Sequence, residues 1–285
     1  MGLFGRKKPF FAKFRASDPA VIKAYGGTID HRMAVFGDVH ANLEALEAVL
    51  KDAERRGVSR FACTGDLVGY GPNPSECLEI VKELGCPVVK GNHDEYAATD
   101  ISLKDFTLHA MNALIWTREH LSAAERAWLD ELPMEWDLTT AGSADLEATS
   151  HLVHSSVYEP EAWRYIIKQE EAEKVLPLQP ANLVFFGHTH VPASYAFNPD
   201  TGAFKSTVPA REELLELEAG WKWLVNPGSV GQPRDHDPRA AYIIYDSAAQ
   251  TIEQRRVEYD FRKTAKKIVA AGLPDRNAQR LYKGR

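Results

Sequence analysis

The strongest constraint on this chain is a pattern repeated three times in its first hundred residues: a short apolar run cut off by glycine and then a small polar side chain. Met33-Ala34-Val35-Phe36 runs into Gly37-Asp38-Val39-His40, Phe61-Ala62-Cys63-Thr64 into Gly65-Asp66, and Pro87-Val88-Val89 into Gly91-Asn92-His93-Asp94. Between the first two runs, Leu43, Leu46, Val49, Leu50 and Ala53 recur at helical spacing, and Gly57 supplies a C-terminal cap. Between the second and third, the turn-rich residues 69–74 lead into a helix over Ser75 to Leu84. Strand and helix alternating in this way predict βαβ units, hence an α/β fold around a parallel sheet. Open sheets of that kind bind ligands at the carboxyl ends of their strands, where all three polar clusters fall.

With 285 residues, 44% of them hydrophobic, the chain can bury a large core. The expected organisation is a basic N-terminal extension over 1–30 and a single domain over 31–285. A helical cap spans about 101–135, where Phe106, Leu108, Met111, Leu114, Ile115 and Leu121 keep helical spacing. A net charge of −6 argues against duplex nucleic acid as a partner, since such proteins gain their main affinity by neutralising phosphates. Cys63, Cys77 and Cys86 lack the spacing of a ligand pair and read as reduced thiols. No run approaches the roughly 20 apolar residues of a membrane span, and the start lacks the pattern of a secretory signal, so the expected location is cytoplasmic. The first fifteen residues hold five Lys or Arg and four Phe. They read as a solvated basic tail, with weak contact to an anionic membrane as the alternative. Oligomeric state stays open.

In the second half, strand candidates end at His154, at Phe186 and at Val225, and Asn198-Pro199-Asp200-Thr201-Gly202 marks a hairpin. Phe186 is followed by Gly187-His188-Thr189-His190. Any one of these clusters alone reads better as a turn or a helix cap. Together, five strand ends carry Asp38, His40, Asp66, Asn92, His154, His188 and His190, a carboxylate, amide and imidazole set suited to divalent cations. Without thiolates among them, the donor set leaves Mn²⁺, Fe, Zn²⁺ and Ni²⁺ open, with Mn²⁺ the first choice for assay.

The blocks D-x-H, G-D, G-N-H-D, a lone His and G-H-x-H, in this order from Asp38 to His190, resemble the calcineurin-like metallophosphoesterase superfamily. Asn226-Pro227-Gly228-Ser229-Val230-Gly231-Gln232-Pro233-Arg234 and the closing segment from Ala271 to Tyr282 are similar to its bacterial YfcE-type, diadenosine-tetraphosphatase-like branch. The resemblance implies four layers, two β-sheets sandwiched between helices. It implies two divalent metal ions, one held by Asp38, His40 and His190, the other by Asn92, His154 and His188, with Asp66 bridging. It further implies that a metal-bound hydroxide attacks phosphorus in line, that His93 is the general acid, and that Asp94 orients it and keeps it protonated. The sequence departs from the pattern at Ala41 and Ser155, where glycine is usual, so a Cβ is added beside the site at each.

The expected activity is hydrolysis of small phosphodiesters or nucleotides. A Ser/Thr-type protein phosphatase and a non-catalytic metal-binding scaffold are the competing readings. Asn226 and the Gly228-Ser229 turn are expected to support the site, Arg234 to contact substrate or form a surface ion pair, and Tyr70 to stack on a base or pack its loop. His31, His109, His120, His151 and His236 read as structural or solvated, and alternation turns His151 away from the face of His154.

Overall fold

The computed structural model describes residues 31–138, 150–207 and 214–285. The extension over 1–30 lies outside the described residues. Two mixed sheets face each other. The first runs β2 (Arg60–Cys63), β1 (Arg32–Phe36), β10 (Ala240–Asp246), β11 (Thr251–Val257) and β8 (Leu214–Glu216). The second runs β3 (Glu135–Leu138), β4 (Ser150–Val153), β5 (Leu183–Phe185), β9 (Lys222–Asn226), β6 (Ala193–Phe197) and β7 (Phe204–Thr207).

Alternation along the strands builds the layers. On β1, Met33 and Val35 join Phe185, Val225 and Ile243 in the core between the sheets. Ala34 and Phe36 turn the other way, onto α1 (Leu43–Arg55) and α2 (Pro74–Leu84). On β5, Leu183 and Phe185 face inward, while Val184 packs with Ala172 of α6 (Gln169–Val175). Helix, sheet, sheet, helix is thus the order, and the sheets share one core. Phe36, Phe185 and Phe186 are fully buried, each contributing roughly 1.5–3 kcal/mol by transfer from water.

Two expectations change. The expected third strand over 87–89 shrinks to a single bridge, Cys63 to Val88. Pro87 has no N–H to donate, and Lys90 gives its own to the Pro133 carbonyl instead of a ladder. The expected cap over 101–135 holds α4 (Leu108–His120) and α5 (Ala123–Asp130), then ends early, because Glu135 begins β3 against β4. The hairpin at 198–202 joins β6 to β7 as expected. At the C-terminus, α7 (Phe261–Ala270) and α8 (Asp275–Leu281) share a small core with Tyr70, Ala110 and Ala113. That packing brings the last helix beside the strand ends.

Candidate metal centre

Each site loop is zipped to its neighbours by backbone bonds. Asp38 and His40 donate their N–H groups to the carbonyls of Gly65 and Asp66, both at 2.9 Å, and Gly231 N–H donates to the Asp38 carbonyl, also at 2.9 Å. Asn226 Nδ2 donates to the Gly187 carbonyl at 2.7 Å and Ser229 Oγ to that of Asp38 at 2.9 Å. Asn226 and Ser229 therefore brace the loops after β5 and β1. Such bracing is needed, because Asp38, His40, Ala41, Asp66, Tyr70, His188 and His190 all adopt positive φ, between 48° and 68°. The left-handed conformation costs a non-glycine residue on the order of 1–2 kcal/mol, and strain of this kind gathers at functional sites. Ala41 carries it without glycine's freedom; the Ser155 hydroxyl donates to the Pro160 carbonyl at 2.9 Å and ties down the next loop.

The expected ligands converge. Ligand atoms of Asp38, His40, Asp66 and His190 lie within 4.8 Å of one another, as do those of Asp66, His154 and His188. Asp66 belongs to both groups: its Oδ2 is 3.6 Å from His40 Nε2 and 3.5 Å from His154 Nε2. Asn92 Oδ1 is 3.3 Å from His154 Nε2. His93 N–H donates to Asp66 Oδ1 at 2.8 Å, which fixes the carboxylate and leaves Oδ2 turned between the imidazoles.

The second ring nitrogens set the tautomers. His40, His154 and His190 place Nδ1 against the carbonyls of Val68, Thr64 and Gln232, at 2.9, 2.7 and 2.7 Å. A carbonyl only accepts, so in each neutral ring Nδ1 carries the proton and Nε2 offers a lone pair to the centre. In His188 the roles are reversed: Nε2 faces the Trp163 carbonyl at 2.9 Å, which leaves Nδ1 for the centre. Of these carbonyl partners Gln232 lies within the Asn226–Arg234 block, whereas Trp163 sits in a loop with no motif.

This donor set fits cations. His40 Nε2 and His190 Nε2 lie 3.0 Å apart with lone pairs facing, a repulsive contact that a positive ion relieves. Asp38 Oδ2 is buried with no hydrogen-bond partner among the described residues. Burial pushes the Asp38 carboxyl up to about 7, with Asp66 adding to the rise. Burial also pulls His188 down to about 3, with the charge on His154 adding to the fall. His154 is raised to about 9: burial opposes this, but the Asp66 carboxylate outweighs it. Saturating Mn²⁺ is accordingly expected to raise the melting temperature, since an ion that binds only the folded state at 100 times its Kd adds about 2.7 kcal/mol. A differential scanning run showing no shift would count against these residues as a metal centre.

His93 and Asp94 follow the ligands but differ from expectation in one respect. Asp94 does not touch the His93 ring. Its Oδ1 accepts from Leu67 and Val68 N–H at 2.8 and 3.3 Å, and its Oδ2 from Gly91 N–H at 3.0 Å. Backbone donors at the start of α3 (Asn92–Ala98) and in the Asp66 loop outcompete the imidazole, so the expected orienting contact is replaced by a loop clamp. The His93 ring is held by packing, against Tyr70 at 4.5 Å, His40 at 4.8 Å and Phe106 at 5.5 Å between centroids. Its Nδ1 has no partner among the described residues, and burial pulls the ring down to about 4. His151 is elsewhere, with Nδ1 2.9 Å from Asp137 Oδ1 on the β3–β4 edge.

Gly91 is where a side chain would meet the shared carboxylate directly. A Cβ there would stand 2.1 Å from Asp66 Oδ1 and 2.4 Å from Asp66 N. Gly91→Ala is expected to displace the shared carboxylate, costing about 1–3 kcal/mol of stability by overpacking and most of the bound metal. Unchanged metal content by elemental analysis would contradict this.

Two facing sheets whose strand ends converge on a buried carboxylate–imidazole cluster define a protein with a candidate metal centre at the sheet edge. The family model for the calcineurin-like phosphoesterase superfamily domain matches residues 32–250. The chain belongs to that superfamily and is a phosphoester hydrolase. It is 37% identical over 253 residues to the protein MJ0912 of Methanocaldococcus jannaschii, covering 89% of this chain and 98% of that one. It is similar to the metallophosphoesterase of Sphaerobacter thermophilus, 38% identical with a TM-score of 0.75, over 89% of this chain and 99% of that one. A local match, 43% identical over 63 residues, covers 21% of this chain and 23% of a symmetrical bis(5'-nucleosyl)-tetraphosphatase of Psychromonas ingrahamii. Among the described residues, no helix is long and apolar enough to cross a membrane.

Proposed function

We propose that this chain is a dinuclear phosphoesterase acting on small phosphodiesters or nucleotides in the cytoplasm. The observation that carries the proposal is the position of Asp66 Oδ2, within 3.6 Å of an imidazole of each ligand group. Two divalent ions bound there would supply the Lewis acidity that activates water and neutralises charge on the phosphoryl oxygens. Asp38, His40 and His190 would hold one ion, Asn92, His154 and His188 the other, and Asp66 both.

The chain's own residues do the rest. Backbone carbonyls lock the tautomers of the neutral His40, His188 and His190 rings, so their donor atoms are aimed before anything binds, and hold the His154 ring in place, which must give up its Nε2 proton to a bound ion. Left-handed backbone at Asp38, His40 and Asp66 turns three side chains into one crevice. His93 would pass a proton to the departing oxygen, a role supported by its burial beside Asp66 and its packing against Tyr70. Its ring is uncharged near neutral pH in the free protein; a phosphate anion arriving beside it favours the charged form. The symmetrical tetraphosphatase likeness supports nucleotides as a substrate class.

The test is hydrolysis of bis(p-nitrophenyl) phosphate and p-nitrophenyl phosphate in excess Mn²⁺, beside a phosphopeptide. Turnover of the diester at the higher rate supports the proposal. Phosphopeptide turnover well above both would favour a protein phosphatase, and an inactive protein holding two metal ions would favour a scaffold.

A further inference from the structure

The segment joining β4 to α6 starts from one member of the centre and returns to cover another. It leaves the strand at His154 and crosses residues 155–168 before Gln169 opens the helix. Tyr158, Tyr165 and Ile167 are exposed along it, while Ile166 is buried with Ala172, Val184 and Phe186. Three ties fix its course: the bond from Ser155 Oγ to the Pro160 carbonyl, an ion pair between Glu159 and Arg164, and Tyr195 Oη donating to the Ile167 carbonyl at 3.1 Å. Glu159 and Trp163 hold positive φ, both 50°, a left-handed backbone that these ties must enforce. Strain of this kind points to what the loop presents.

It presents a cradle for His188. The Trp163 carbonyl takes Nε2 at 2.9 Å, and the Tyr165 ring lies against the face of the imidazole, 4.0 Å between centroids and 22° between planes. The Trp163 ring stands edge-on to His154 at 5.8 Å. The hydrogen bond sets which way the His188 ring points, and the stacked ring sets its tilt. Both matter to a cation, because the nitrogen lone pair it uses is directed along the ring plane. The other half of the centre is built differently. His40 and His190 stack on each other at 4.7 Å, and their carbonyl partners Val68 and Gln232 are buried, as is Thr64, which holds His154. Trp163 is half-buried and lies between exposed Ala162 and Arg164. Of the four candidate ligand imidazoles, His188 alone takes both its ring hydrogen bond and its stacking partner from a surface loop.

We infer that Tyr165, together with the Trp163 carbonyl, is a positioning residue for the ion assigned to Asn92, His154 and His188, so that the surface loop sets how tightly this ion is held and leaves its neighbour unaffected. This rests on the dinuclear reading above and divides its two halves. Tyr165 gives no atom to the centre. It acts by fixing the His188 ring beforehand, so that binding an ion does not have to order it. Its side chain is 49% exposed, and its replacement therefore disturbs little of the core.

The test is calorimetric titration of the metal-free full chain with Mn²⁺, for wild type, His188→Ala, Tyr165→Ala, Tyr165→Phe and Tyr158→Ala. His188→Ala marks the binding step that depends on the imidazole. Tyr165→Ala is expected to raise the Kd of that same step about three- to tenfold, the scale of one aromatic contact, and to leave any other step within about twofold of wild type. Tyr165→Phe keeps the ring and should restore the wild-type value. Tyr158→Ala, on the same loop but packed on Arg164, should leave it unchanged. No weakening in Tyr165→Ala, equal weakening of two steps, or a Phe variant as weak as the Ala variant would overturn the inference. A wild type that binds one ion would end the dinuclear reading by itself; the inference is then decided by whether Tyr165→Ala weakens that ion as His188→Ala does.

Discussion

Asp66→Ala is expected to abolish diester hydrolysis, with a loss exceeding the roughly 10²–10³-fold cost of deleting a single electrostatic donor in an active site. The reason is geometric. Among the described residues Asp66 Oδ2 is the one carboxylate oxygen within 3.6 Å of imidazoles from both ligand groups, so its removal subtracts from both at once. It also removes the acceptor for His93 N–H and leaves the His154 imidazole, held charged by that carboxylate, without its partner. Elemental analysis should show metal lost along with activity. Turnover within tenfold of wild type would refute the shared-ligand assignment.

His93→Ala separates proton transfer from metal holding. His93 contributes no atom to either ligand group, so its replacement should leave metal content unchanged while lowering the rate by about 10²–10⁴-fold. A general acid matters most when the departing oxygen is basic. The loss should therefore be severe for alkyl esters and smaller for nitrophenyl esters, whose leaving group needs little help. His93→Gln, which fills more of the space among Tyr70, His40 and Phe106, controls for packing. Equal losses across leaving groups in both variants would mean that the ring only supports the site.

The candidate ligand residues, which the fold brings together, stand out in the sequence because they lie where a periodic pattern stops. Asp38, Asp66, His154 and His188 each lie just past an apolar run, and no amphipathic argument puts histidine there. The two-sheet layering was legible only through the family resemblance, since β1 and β5 are apolar along nearly their whole length and their two faces are told apart by packing alone. What stayed hidden depends on tertiary geometry. The 87–89 segment has strand-forming residues, but Pro87 and the bond from Lys90 to Pro133 reduce it to one bridge. Asp94 beside His93 suggests a pair, yet three backbone N–H groups claim its carboxylate. Trp163 acts on the site through its carbonyl, which every residue has and no motif marks, and Gln232, though inside a quoted motif, also acts through a carbonyl its residue type does not announce. Arg234 and Arg280 meet at Gln232 Oε1, 3.2 and 3.0 Å from it, only because α8 folds back across Tyr70.

The central claim is that two ions share Asp66 and that both are needed. Stripped protein titrated with Mn²⁺, with bound metal counted and bis(p-nitrophenyl) phosphate hydrolysis followed at each point, tests it most directly. The account predicts little turnover up to one ion per chain and a steep rise as the second binds; full activity at one ion per chain, or none at two, would contradict it.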